Sequence, residues 1–321
     1  MLRDHSVTGI SLPGSFPSPR LFPILMQKSI RLVRISLLAL VAFLITDTLR
    51  AADPLKFVSW NLEWFPGKRP TASAAEADAH MKAAQEALKK INPDIFVGVE
   101  IHDWAAFHEL VSVIPGLTVN AVSSFCDAET GELRPQQIGI ASKLTCRAAM
   151  WENWVANVPK MSRGFTFAAL EHPDGGLLMV YGNHLKSNAG SNTEEGAKNV
   201  AEMRNDQTRQ LLAHREKIKK AFVDQPILGW IACGDFNTNH DNQFPLCNVV
   251  KLMTEGGYFN TWANTPKEKR LTWHPGPESK FEATTFDYIF TEGIKPVEAT
   301  LVEVPEGVSD HSAVGISISK P

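Results

Sequence analysis

The chain has 321 residues, with 44% apolar and 21% charged side chains, an ordinary globular composition with room for one large domain or two small ones. Its net charge is -3. The first 51 residues hold six basic and two acidic side chains; the remainder carries 26 Lys+Arg against 33 Asp+Glu, a net charge of -7. That balance excludes a domain-wide basic footprint for nucleic acid, but not a nuclease, since bound metal ions supply positive charge where a phosphate sits.

From Met26 onward, Lys28, Arg31 and Arg34 precede an apolar run over 35–45 and a small-residue site at Leu49-Arg50-Ala51. This is the pattern of a secretory signal peptide, and the run is shorter than the roughly 20 apolar residues that span a bilayer. Residues 1–51 are therefore expected to be a signal peptide with an upstream extension, and 52–321 a catalytic domain. The expected location is secreted or periplasmic in preference to membrane-anchored. Phe57-Val58-Ser59-Trp60 reads as a strand, 73–90 as a helix with Ala77, Met81, Ala84 and Leu88 on one face, and 95–99 as a buried strand. A short helix is expected at 104–113. Strands are expected at 117–125, 138–142, 164–170 and 177–183, separated by turns such as Pro173-Asp174-Gly175-Gly176. The longest helix is expected at 194–222, followed by strands at 227–233, 286–290 and 314–318. Strands mixed with helices and no long linker point to one α/β domain. Cys126, Cys146, Cys233 and Cys247 permit two disulfides in an exported chain. Cys126–Cys146 is the favoured pair, with Cys233 equally readable as a buried thiol.

Five apolar strands end in residues that can bind a metal or move a proton, the arrangement that builds ligand sites in sheet proteins. Asn61 ends the first and offers a neutral oxygen. Glu100 ends the second and is a hard-cation ligand. His184 ends the strand at 177–183 and titrates near neutrality, with Lys186 two residues on to meet a phosphate. Gly234-Asp235-Phe236-Asn237 turns sharply, and period two puts Asp235 and Asn237 on one face. Ser309-Asp310-His311 places a carboxylate beside an imidazole, and Asp287 can fix the tautomer of a histidine. Lys186, Lys198 and Arg204 could share a phosphate-binding face, against the more ordinary alternative of a solvated helix surface.

In their order and spacing these residues resemble the endonuclease/exonuclease/phosphatase superfamily, which includes deoxyribonucleases, abasic-site endonucleases, neutral sphingomyelinases and inositol polyphosphate 5-phosphatases. The resemblance covers 55–318 and implies a four-layered α/β sandwich of two packed mixed sheets flanked by helices. It implies Mg²⁺ as cofactor, with Mn²⁺ or Ca²⁺ as substitutes, held by Glu100 with Asn61 and Asp310. It assigns Asp235 and Asn237 to the phosphate and attacking water, His311 paired with Asp287 to proton transfer or phosphate charge, and His184 to a second catalytic histidine. Arg163 matches a phosphate-contacting arginine. One departure stands out: deoxyribonuclease-like members support the first histidine with a glutamate where this chain has Pro135, Gln136 and Gln137; a glutamine can hold His184 by hydrogen bonding but adds no negative charge. The expected activity is a DNA or RNA nuclease acting as a monomer without a protein partner. A sphingomyelinase-like phosphodiesterase is the alternative, with Trp151-Glu152-Asn153-Trp154 as its candidate membrane contact.

Overall fold

Side-chain alternation in the first strand, Leu55–Phe65 (β1), already divides the interior in two. Phe57 packs with one buried cluster, while Val58, Trp60 and Leu62 pack with another, because successive residues of a strand face opposite sides. The computed structural model describes residues 54–319 except 128–129, 156–162, 280 and 295–296; the signal-peptide expectation for 1–51 lies outside them. Two six-stranded sheets form from β1, Ile95–Ile101 (β2), Thr118–Val122 (β3), Gln137–Ser142 (β4), Cys146–Asn153 (β5), Gly164–Glu171 (β6), Leu177–His184 (β7), Ile227–Asp235 (β8), Phe259–Asn260 (β9), Asp287–Glu292 (β10), Thr300–Val302 (β11) and Ala313–Ile318 (β12). One runs β11-β12-β1-β2-β4-β3 and the other β5-β6-β7-β8-β10-β9. Phe57, Val97, Ile138 and Ile140 of the first sheet join Phe165, Phe167, Val180 and Tyr181 of the second in one cluster.

Among the described residues the α-helices are Ala74–Ile91 (α1), Trp104–Val111 (α2), Glu194–Ala221 (α3) and Val249–Glu255 (α4), with one 3-10 turn at Lys267–Lys269. Ser73 caps α1 in a reciprocal box with Glu76, and Met81, Ala84 and Leu88 bury its inner face. Phe107 and Leu110 of α2 join the same cluster as Trp60 and Phe96. Leu211 and Ile218 of α3, with Val249 and Met253 of α4, pack with the second sheet. The architecture is the expected four-layered sandwich of two mixed sheets flanked by helices. The sequence pattern missed β5, β9, β11 and α4. β5 is an edge strand with mostly exposed side chains, so it lacks an apolar run, and the other three are short.

All four cysteines are free thiols, so the favoured Cys126–Cys146 disulfide is not formed here. Cys126 donates to the Ser124 carbonyl and Cys146 to that of Ala148, each at 3.3 Å; each thiol is occupied locally. Cys233 is the buried thiol of the alternative reading. Of the aromatic pair expected as a membrane contact, Trp154 is core, packed on Phe165, and Trp151 lies on edge strand β5 with its ring against Phe125. Among the described residues no helix is long and apolar enough to cross a membrane.

Candidate active site

The site lies at Asn61 within β1, at the ends of β2, β7 and β8 and at the start of β10, and β2 and β8 break the regular pleat there. Unbroken alternation would put Glu100 on the helix side with Phe96 and Gly98. Instead the register shifts between Val99 and Ile101, and Glu100 takes φ 63°. This bulge returns Ile101 to the helix-side cluster and turns the Glu100 carboxylate to the site, a common use of bulges. Glu63, Trp64 and Asn237 also have positive φ, at 52°, 49° and 51°. Strained backbone of this kind clusters at functional sites.

At the end of β8, Gly234 has φ 122°, and a Cβ there would stand 2.0 Å from the Asn183 carbonyl oxygen of neighbouring β7. Only glycine lets the two strands that carry His184 and Asp235 approach this closely. Gly234→Ala is accordingly expected to cost roughly 2–6 kcal/mol, from left-handed strain plus overpacking. Denaturant unfolding of the two proteins checks this; equal midpoints would refute it.

The carboxylates and imidazoles converge tightly. Asn61 Nδ2 donates to Glu100 Oε1 at 3.2 Å and to Asp235 Oδ2 at 3.1 Å, and the Trp64 amide donates to Glu100 Oε2 at 2.9 Å. His184 Nε2 stands 3.8 Å from Glu100 Oε1 and 3.6 Å from Asp235 Oδ2, too far for hydrogen bonds. Donor atoms of Glu100, His184 and Asp235 all lie within 4.8 Å of one another. A buried and a partly buried carboxylate and a buried imidazole that converge without bonding to one another fit a divalent cation between them. This donor group differs from the expected Asn61, Glu100 and Asp310. The Asn61 oxygen is turned away to accept the Glu63 amide at 3.1 Å, so its NH₂ positions the two carboxylates and its oxygen is not offered as a ligand. Asp310 stands at the margin: its Oδ1 is 3.9 Å from His311 Nε2, and its Oδ2 accepts the Trp273 indole at 3.0 Å.

His311 Nδ1 is 2.7 Å from Asp287 Oδ2, and its Nε2 is 4.0 Å from Asp235 Oδ2. Burial opposes charge on His311, but Asp287, Asp235 and Asp310 outweigh it and hold the imidazole up at about 10. Burial, with Asp287 second, pushes Asp235 up to about 7. Burial and the charges of Arg163, His311 and Lys186 push His184 well below its ordinary value, so it stands neutral and able to ligate.

The Asn237 amide nitrogen of the backbone donates to Asp235 Oδ1 at 2.8 Å, and its side chain donates to the Leu185 carbonyl at 3.2 Å. β8 ends at Asp235, so period two does not reach Asn237, and a turn brings it beside the carboxylate. Arg163 donates to the Leu185 carbonyl at 3.1 Å and to Gln136, and Glu100 and Asp235 lie within its electrostatic reach. Lys186 Nζ donates to the carbonyls of Ser187 and Ala189 at 3.0 and 2.7 Å, which turns it onto its own loop. Arg204 is buried and holds that loop through the Lys186 carbonyl at 2.7 Å, while Lys198 is exposed, so the three do not share a face. Neither glutamine holds His184. Gln137 ties down Ser123 and Phe125 at 2.7 and 2.8 Å, Gln136 takes Arg163, and His184 Nδ1 is buried without a partner.

Sequence reasoning passed over Glu63, Thr272 and Trp273. Glu63 Oε2 accepts the Asp310 amide at 3.1 Å and pairs with Lys68 at 3.0 Å. Thr272 Oγ1 accepts the amides of Phe286 and Asp287, both at 2.9 Å. The only sequence cue was Glu63's place two residues after Asn61; Thr272 and Trp273 sit in a loop with no local pattern.

The family model described as Endonuclease/Exonuclease/phosphatase family matches residues 58–311, and the chain belongs to that family. No curated protein matches it in sequence. Similar solved structures include an endonuclease/exonuclease/phosphatase from Beutenbergia cavernae, with TM-score 0.61, 17% identity, and 84% of this chain and 72% of that one covered. The human Nocturnin catalytic domain with bound sulfate gives 0.60 and 17%, covering 85% and 95%. Truncated TDP2 from Caenorhabditis elegans gives 0.56 and 17%, covering 83% and 97%. At these identities the likeness establishes the fold.

Proposed function

We propose that the protein is an exported, divalent-metal-dependent phosphodiesterase whose substrates are nucleic acids, DNA first and RNA second, acting as a monomer with Mg²⁺ as resident cation. The observation that carries this is the nest of Glu100, His184 and Asp235 donor atoms set beside the His311–Asp287 pair. A divalent cation held by that nest would polarise a phosphoryl oxygen and neutralise its charge. Asp235, its two oxygens held by the Asn61 side chain and the Asn237 amide, would help hold the cation and orient an attacking water beside it. His311, kept protonated by Asp287, would donate a hydrogen bond to a phosphate oxygen, where charge develops as the ester breaks. Asn61 and Asn237 hold the carboxylates in place, and Arg163 adds fixed positive charge for the phosphate. Export rests on the basic and apolar pattern before residue 51. Burial of Trp154 weakens the sphingomyelinase-like alternative, since half of its candidate membrane contact is core.

Labelled single- and double-stranded DNA, RNA and sphingomyelin vesicles, each incubated with the purified protein and Mg²⁺ or chelator, test this. Metal-requiring cleavage of nucleic acid is expected. Cleavage of sphingomyelin alone would transfer the assignment to phospholipid, and hydrolysis of none of them by folded protein would end the phosphodiesterase proposal.

A further inference from the structure

We propose that Trp273 is a positioning residue for Asp310, turning its carboxylate toward His311 at the margin of the site, so that its negative charge adds to the attraction for a cation held by Glu100, His184 and Asp235. The inference rests on the phosphodiesterase function proposed above. Asp310 is the most exposed of the acids around His311, its side chain 35% exposed against 3% for Asp235 and 2% for Asp287. What fixes it is the indole: Trp273 Nε1 donates to Oδ2 at 3.0 Å, leaving Oδ1 turned to His311 Nε2. An indole N–H is a donor only and carries no charge. It selects which oxygen faces the site while the full negative charge remains for a cation, which a lysine or arginine in its place would partly cancel.

The indole is itself held from several sides. Its ring stacks on Phe286 with centroids 5.3 Å apart and planes 28° apart. Its backbone exchanges hydrogen bonds with Thr284 at 2.8 and 3.1 Å. On either side of it, the Thr272 carbonyl accepts the Ser312 amide at 2.7 Å and the His274 amide donates to the Asp310 carbonyl at 2.8 Å. With the Thr272 hydroxyl on the amides of Phe286 and Asp287, residues 272–274 tie the segment bearing Asp287 to the one bearing Asp310 and His311. Partners that orient the charged groups of a metal site typically change metal affinity or activity by about 10–100-fold when removed, and the lower end of that range is expected for a carboxylate at the margin.

The test is Mn²⁺ binding by calorimetry, alongside phosphodiester hydrolysis, for the full chain, Trp273→Phe, Asp310→Ala and the double variant. Trp273→Phe keeps the ring on Phe286 and removes the donor. It is expected to weaken Mn²⁺ binding about tenfold, and to have no further effect once Asp310 is alanine. Wild-type affinity in Trp273→Phe, or an undiminished loss in the Asp310→Ala background, overturns the proposal. Trp273→His, which retains an N–H, is expected to bind more tightly than Trp273→Phe. Should Trp273→Phe not fold, the histidine variant decides alone: near-wild-type binding supports the role, and tenfold loss overturns it. A wild-type protein that binds Mn²⁺ but cleaves no nucleic acid refutes the nuclease assignment and leaves this cycle to stand or fall on binding. One that neither binds nor cleaves refutes both.

Discussion

Glu100→Gln is expected to lower kcat/KM for phosphodiester hydrolysis by roughly 10²–10³-fold, the scale of losing one preorganised electrostatic contact. Both carboxylate oxygens are used: Oε1 accepts from Asn61 and Oε2 from the Trp64 amide. A glutamine has one acceptor oxygen, so its NH₂ must face one of these donors, and the negative charge offered with Asp235 and His184 is gone. Leaving a buried donor unpaired costs about 1–3 kcal/mol, so denaturant unfolding should register a moderate loss of stability. The two effects are separable, because the activity loss must persist at temperatures where the variant is fully folded. Activity within a few-fold of wild type in folded Glu100→Gln would remove Glu100 from the chemistry and with it the nest as the catalytic centre.

What could be read in the sequence was set by how local the cause was. Apolar strands ending in Asn61, Glu100, His184 and Asp235 announce themselves because a strand's burial and its polar terminus lie within a few residues of each other. The buried faces of α1 and α3 follow from helical spacing alone. The bulge at Glu100 could not be read that way, since it depends on β2's register against β4 and β1. The orientation of Asn61 depends on the Glu63 amide competing for its oxygen, and the fates of Gln136 and Gln137 depend on Arg163 and on the turn at 123–125, all long-range or backbone effects. Lys186 and Arg204 look alike as cations near a site. Only packing shows that one ammonium is occupied by loop carbonyls and that the other's guanidinium is buried beneath the same loop. Trp273 reaches Asp310 across 37 positions, a contact that the intervening strand β10 creates.

A divalent cation is expected to stabilise the protein strongly at pH 8 and weakly at pH 5. Asp235 is pushed up to about 7 from an ordinary 3.8, so the native state binds this proton more tightly than the unfolded chain does. Its contribution to metal-free stability is present below about 4 and is lost as pH rises through 7. His311, raised from 6.5 to about 10, acts in the same direction: its contribution is complete below 6.5 and is lost between there and 10. Metal-free protein should therefore lose stability through these two groups as the medium becomes alkaline. Other carboxylates, such as Asp241 beside Arg270, are lowered and remove stability on the acid side. A cation reverses the alkaline loss, because it binds the deprotonated carboxylate and the neutral His184 and is excluded when Asp235 holds its proton. At a concentration one hundred times its Kd it adds about 2.7 kcal/mol, or roughly 5–10 °C in Tm for a domain of this size. Thermal unfolding with Mn²⁺ or chelator at the two pH values measures the difference. Asp235→Asn should flatten both the metal increment and the pH slope between 4 and 7. An increment that is equal at pH 5 and pH 8, or that survives in Asp235→Asn, would place the cation somewhere other than between Glu100, His184 and Asp235.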